Sequence, residues 1–125
     1  MTEERILELV AHWQAFLGLG NWEIEVDFAQ EAGEEAYARA WRSNSYDRAT
    51  INLDRGWQEW EPGFANRIIA HELLHLVARD LEQSVTAVKE HVPRFIWELL
   101  AERIDHEMEG LIDRLSVMFV DLAAS

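Results

Sequence analysis

Residues 68–77 read Ile-Ile-Ala-His-Glu-Leu-Leu-His-Leu-Val, two histidines four apart inside an otherwise apolar run. On an α-helix, residues at that spacing share one face and lie about 6 Å apart along the axis. His71 and His75 can therefore grip one metal ion. Glu72, beside them, can take a proton from a water that the metal activates. An exposed helix needs only a narrow apolar stripe, whereas this trio is surrounded by Ile68, Ile69, Leu73, Leu74, Leu76 and Val77. Buried imidazole and carboxylate without partners are unfavourable, and a metal would satisfy all three.

Apolar periodicity sets the helix within a single domain of 125 residues. That length buries one core without staples. With no Cys, there is neither a disulfide nor a thiolate metal site. The start, Met1-Thr2-Glu3-Glu4-Arg5, lacks the basic, then apolar, pattern of a signal peptide, and no run is long enough to span a bilayer. A cytoplasmic protein is expected. Its 24 acidic and 11 basic residues give a net charge of −13, which argues against nucleic-acid phosphates and anionic membranes as partners.

Thr2 is placed to cap a helix of about Glu3 to Leu17, ended by Gly18 and Gly20. Trp22, Ile24, Val26 and Phe28 alternate with acidic residues as in a half-buried strand. Glu31 to Glu34 reads as a turn, and a second strand of about Ala36 to Arg42 sets Tyr37, Arg39 and Trp41 on one face. After a turn at 43–47, Ala49 to Leu53 forms a third strand, antiparallel to the second. Its polar Thr50 and Asn52, with Asp54 beyond, suit a sheet edge on which an extended peptide could pair. Trp57 and Trp60 fall in the following loop, where they could touch a substrate or partner. Trp13, Trp22 and Trp97 lie on apolar faces and read as core.

Pro62 opens the motif helix, expected to run to about Leu81. Residues 82–92 read as a short helix or a loop. From Pro93, Trp97, Leu100, Ile104, Met108, Leu111, Leu115, Met118 and Leu122 step by three and four, the stripe of a long amphipathic helix. The expected fold class is α+β: a small three-stranded sheet packed on helices, in the order α-β-β-β-α-α, with the motif on the central helix.

A catalytic zinc usually takes three protein ligands and keeps one open position. On the last helix, Glu109 could complete the set while Asp113 accepts a hydrogen bond from a ligand histidine's other ring nitrogen. His106, His91, Glu102 and Glu107 compete with Glu109, and spacing alone leaves them open. Gly110, unfavourable by about 1 kcal/mol within a helix, suggests close packing against the motif helix.

An HExxH pentapeptide followed one helix later by Glu109 and Asp113, an ExxxD pair, resembles the gluzincin arrangement of thermolysin-like metallopeptidases. The compact form is similar to the minimal single-domain gluzincins (minigluzincins), and to small phage-associated HExxH proteins in which a helix ending in E-x-x-x-D-R-L follows the motif. The resemblance covers about Ala49 to Leu115. It implies a compact zincin-like fold, one zinc per chain on His71, His75 and Glu109, and hydrolysis of peptide bonds with Glu72 as general base. Peptide or protein is the implied substrate. The Tyr or His that gluzincins direct at the oxyanion has only Tyr46, His91 and His106 as candidates here. The length also leaves no room for a second subdomain, so a latent enzyme or one of narrow specificity is compatible with the pattern. The alternative is a regulatory or protein-binding domain, phage-related, that keeps the metal without hydrolysis.

Overall fold

The computed structural model describes residues 1–31, 38–42 and 47–124. Helix α1 spans Glu3–Phe16. Thr2 caps it by accepting a hydrogen bond from the Arg5 N–H at 3.2 Å. Ile6, Leu9, Val10 and Trp13 form its buried face. The helix stops where Gly18 turns left-handed at φ 73°, a conformation only glycine adopts freely. The Leu19 N–H then closes back on the Gln14 carbonyl at 2.8 Å.

Three strands follow: β1 (Glu23–Glu31), β2 (Ala38–Arg42) and β3 (Arg48–Leu53). Their spatial order is β1-β3-β2. β1 and β3 are a parallel pair, with Ile24 opposite Ala49 and Val26 opposite Ile51. β2 runs antiparallel to β3, with Ala40 opposite Ile51. Ala49, Ile51 and Leu53 turn into the core. β3 is therefore the central strand, both of its edges paired, and it cannot be the open edge that its polar residues suggested. The edges belong to β1 and β2.

A 3₁₀ turn (Trp57–Glu59) leads to α2 (Pro62–Val77), with Pro62 in its first turn. Trp57 and Trp60 are buried, 6% and 9% exposed. Trp57 packs on Phe28 and Trp60 on Phe64, with ring centroids 5.1 and 5.5 Å apart. They close the core and do not line a rim.

The remainder is helical. α2 ends at Val77 and a separate helix, α3 (Arg79–Ala87), begins after Ala78. A second 3₁₀ turn (Val88–His91) precedes α4 (Arg94–Ala124), 31 residues long. The expected α+β order, α-β-β-β-α-α, is thus wrong. The described residues are mostly helical, with four α-helices of 14, 16, 9 and 31 residues, and the parallel part of the sheet is only the two-strand pair β1–β3. The helix expected to continue to Leu81 breaks at Ala78. There Arg79 turns toward the sheet, its guanidinium 3.3 Å from the Asp47 carboxylate and 5.0 Å from the Trp22 ring. Val77 and Leu81, which extended the apolar pattern, are 50% and 56% exposed.

The core lies between α1, α2 and the sheet, with Ile6, Trp13, Ile51, Ile69 and Leu73 fully shielded. The Trp13 indole N–H donates to the Asn66 amide oxygen, joining α1 to α2. α4 packs on α2 through a face that only partly overlaps the stripe its apolar spacing marks, of which Ile104, Met108 and Leu115 are half-buried. Ile112 and Ser116 are buried there, whereas Leu111, Met118 and Leu122 are 44–62% exposed. Gly110 is exposed, and a β-carbon on it would meet nothing within 4 Å. The small residue buried on α4 is Ser116 instead, 0% exposed.

Candidate metal centre

α2 puts His71 and His75 one turn apart, with ring centroids 5.1 Å from each other. Burial of Ala70, Leu73 and Leu74 fixes the helix's rotation and leaves the two imidazoles at its edge, facing α4. From α4, Glu109 reaches both. Its Oε1 is 2.8 Å from His71 Nε2, and its Oε2 is 3.0 Å from His75 Nε2. Ile112, one turn further and 2% exposed, anchors the segment that carries Glu109.

The outer ring nitrogens also face carboxylates. His71 Nδ1 lies 3.7 Å from Asp113 Oδ1, and His75 Nδ1 lies 3.4 Å from Glu82 Oε1. Glu82 is within hydrogen-bond reach of its ring and Asp113 just beyond it; with a metal on the Nε2 atoms, carboxylates so placed would favour the proton on Nδ1. The Ser116 hydroxyl donates to the Asp113 carbonyl at 2.7 Å, bracing that turn of α4. Asp113 was expected to accept a hydrogen bond from a ligand histidine here, and it stands beside His71 at 3.7 Å, outside hydrogen-bond distance. Glu82 was not expected, because it stands on α3, beyond the break at Ala78.

The donor atoms of His71, His75 and Glu109 all lie within 4.8 Å of one another. Ligands at zinc distances of about 2.0–2.2 Å in a tetrahedron stand about 3.3 Å apart. Measured from the single atom Glu109 Oε1, the two Nε2 atoms stand 2.8 and 3.4 Å away, on either side of that spacing. Two imidazoles and one carboxylate are the donor set of a zinc site with an open fourth position, so the residues fit the metal. The imidazoles are partly shielded, their side chains 15% and 27% exposed, while Glu109 is 56% exposed. The site is reachable from solvent.

Glu72 follows His71 on α2 and is partly buried. The other candidate ligands do not join the cluster: His91, Glu102, His106 and Glu107 are exposed, and among the described residues only His71, His75 and Glu109 form such a group. His91 closes the 3₁₀ turn before α4. Tyr46, a candidate oxyanion donor, and the turns at 31–34 and 43–47 lie outside the described residues, apart from Glu31 and Asp47.

Beside the cluster, a cleft of about 500 Å³ opens between α3 and the first half of α4. His75 and Glu109 border it, as does Trp97, which was expected in the core and is only half-buried. Among the described residues, no helix is long and apolar enough to cross a membrane. The chain matches no protein-family model, and a search of curated proteins returns no significant match.

Proposed function

We propose that the chain is a zinc-dependent peptidase of compact, gluzincin-like form, with one zinc held by His71, His75 and Glu109. The observation that carries this reading is the convergence of three donor atoms from α2 and α4 within 4.8 Å, with Glu72 next to the first ligand in the chain. When bound, zinc supplies Lewis-acid polarisation of a carbonyl and acidifies water to a pKa of about 7. Glu72 accepts the proton of the attacking water on a carboxylate oxygen as the water oxygen bonds to the carbonyl carbon. It then hands that proton to the departing amine nitrogen as the C–N bond breaks. Asp113 and Glu82 hold the two imidazoles in register. The substrate is a peptide or protein, with no role for nucleic acid or membrane, and the net charge of −13 without cysteine suits a cytoplasmic enzyme.

The test uses zinc-loaded protein and a broad peptide library. Wild type is expected to cleave, and Glu72→Gln to retain zinc and its melting temperature while hydrolysis falls about 100-fold or more. Absence of cleavage by zinc-loaded wild type would overturn the peptidase reading.

A second reading, a metal-retaining regulatory domain that binds another protein without hydrolysing it, is favoured by α4. Phe95 and Leu99, one turn apart, are 66% and 73% exposed. That reading expects zinc binding with no cleavage.

A further inference from the structure

We infer that the cleft between α3 and α4 is a subsite for a basic peptide side chain, so that the substrate carries Lys or Arg within one or two residues of the bond cut. This rests on the peptidase reading above. Two ligands of the metal cluster, His75 and Glu109, also border the cleft, so its occupant lies next to the reacting bond. Val85 contributes from α3, and Trp97, Ile104 and Met108 contribute from α4. These side chains provide apolar walls. Glu82 and Asp105 add carboxylates from the two sides, and among the described residues neither Lys nor Arg lines the cleft.

That combination discriminates between occupants. A wholly apolar side chain would strip water from the carboxylates and offer no compensating partner. An acidic one would meet Glu82, Asp105 and a chain of net charge −13. Lys and Arg combine an apolar stem with a charged head. The stem suits Ile104 and Met108, the head suits the two carboxylates, and a cation is also attracted to the face of an indole such as Trp97. At about 500 Å³ the cleft holds one long side chain with its adjoining main chain.

The experiment measures binding and cleavage separately. Zinc-loaded Glu72→Gln protein is offered a positional peptide library, and zinc-loaded wild type is offered the same library for cleavage. Lys and Arg are expected to bind about 10-fold better than Leu, Phe or Glu at one position, with the preference shrinking as salt is raised. Asp105→Asn should lower the basic-to-neutral ratio by about 3-fold or more. Asp105→Glu should preserve it, as should Glu90→Gln, a charge removed outside the cleft. Zinc content and circular dichroism verify that the variants are folded. Equal or better binding of Leu or Phe, no binding of any peptide, or an Asp105→Asn ratio equal to wild type would overturn the subsite. Basic-selective binding without cleavage would sink the peptidase reading and leave the subsite standing. Cleavage with no basic preference would do the reverse.

Discussion

Glu82 Oε1 stands 3.4 Å from His75 Nδ1, as Asp113 stands 3.7 Å from His71 Nδ1, so that each imidazole of the cluster is backed by a carboxylate. The two supports come from different helices, α3 and α4, and neither contributes an atom to the donor set. Removing such a partner typically costs 10-fold to 100-fold in metal affinity. Glu82→Ala and Asp113→Ala are each expected to weaken zinc binding by about that factor, and Glu109→Ala by much more. Competition against a chelator of known affinity measures all three. Unchanged affinity in Glu82→Ala would reduce that carboxylate to a wall of the neighbouring cleft.

The difference between these two carboxylates shows what could be read from the chain. His71 and His75 were legible because their juxtaposition depends only on helical pitch. Glu109 and Asp113 share one face of the last helix for the same local reason, although choosing Glu109 over His106 or Glu102 required the packing of α4 on α2. Glu82 was out of reach of such reasoning. Seven residues after His75 on an unbroken helix, it would sit about 10 Å further along the axis. The break at Ala78, stabilised by Arg79 against Asp47 and Trp22, turns it back toward the ring. α4 misled in another way, since it is apolar round much of its circumference, with Val117, Met118, Phe119 and Val120 consecutive, and a 3–4 spacing then selects no unique buried face. The central position of β3 depends on pairing between β1 and β3, strands not consecutive in the chain, which alternation within a strand does not encode. Trp57 and Trp60 looked like loop residues because the turn that Trp57 opens and Trp60 caps is only three residues long.

Zinc should stabilise the fold. A ligand that binds only the native state adds about 2.7 kcal/mol when its free concentration is 100 times its dissociation constant. Thermal melts with and without zinc, after chelator stripping, should therefore separate clearly for wild type. His71→Ala, His75→Ala and Glu109→Ala should lose the separation, while Glu102→Ala and Glu107→Ala keep it. Loss of the zinc effect in Glu102→Ala or Glu107→Ala, with Glu109→Ala unaffected, would move the third ligand to that residue.

The burial of Trp57 has a direct consequence for stability. Its ring packs on Phe28 and only 6% of the residue is exposed. Trp57→Ala is expected to destabilise by about 3–5 kcal/mol, the range for removing a large aromatic side chain from a core. Chemical denaturation measures the loss. A change under 1 kcal/mol would return Trp57 to the surface loop that its sequence context suggested.

Gly110 and Ser116 make opposite predictions on one helix. Gly110 lies in the interior of α4 with open space around it and no positive φ. Alanine should fit without strain, and Gly110→Ala should raise stability by about 0.5–1 kcal/mol through helix propensity and a less flexible unfolded chain. Zinc affinity should not change, although Glu109 is the adjacent residue, because the new methyl group meets nothing. Ser116 is 0% exposed on the face that packs toward α2. Ser116→Leu must push the helices apart or force a strained rotamer, destabilising by about 1–3 kcal/mol. It should also weaken zinc binding, since Glu109 and Asp113 ride on the same stretch of α4. Denaturant titration and zinc competition on the two variants give both answers. If Gly110→Ala destabilised the protein and lost zinc affinity while Ser116→Leu did neither, the close approach of α2 and α4 would lie at Gly110 after all.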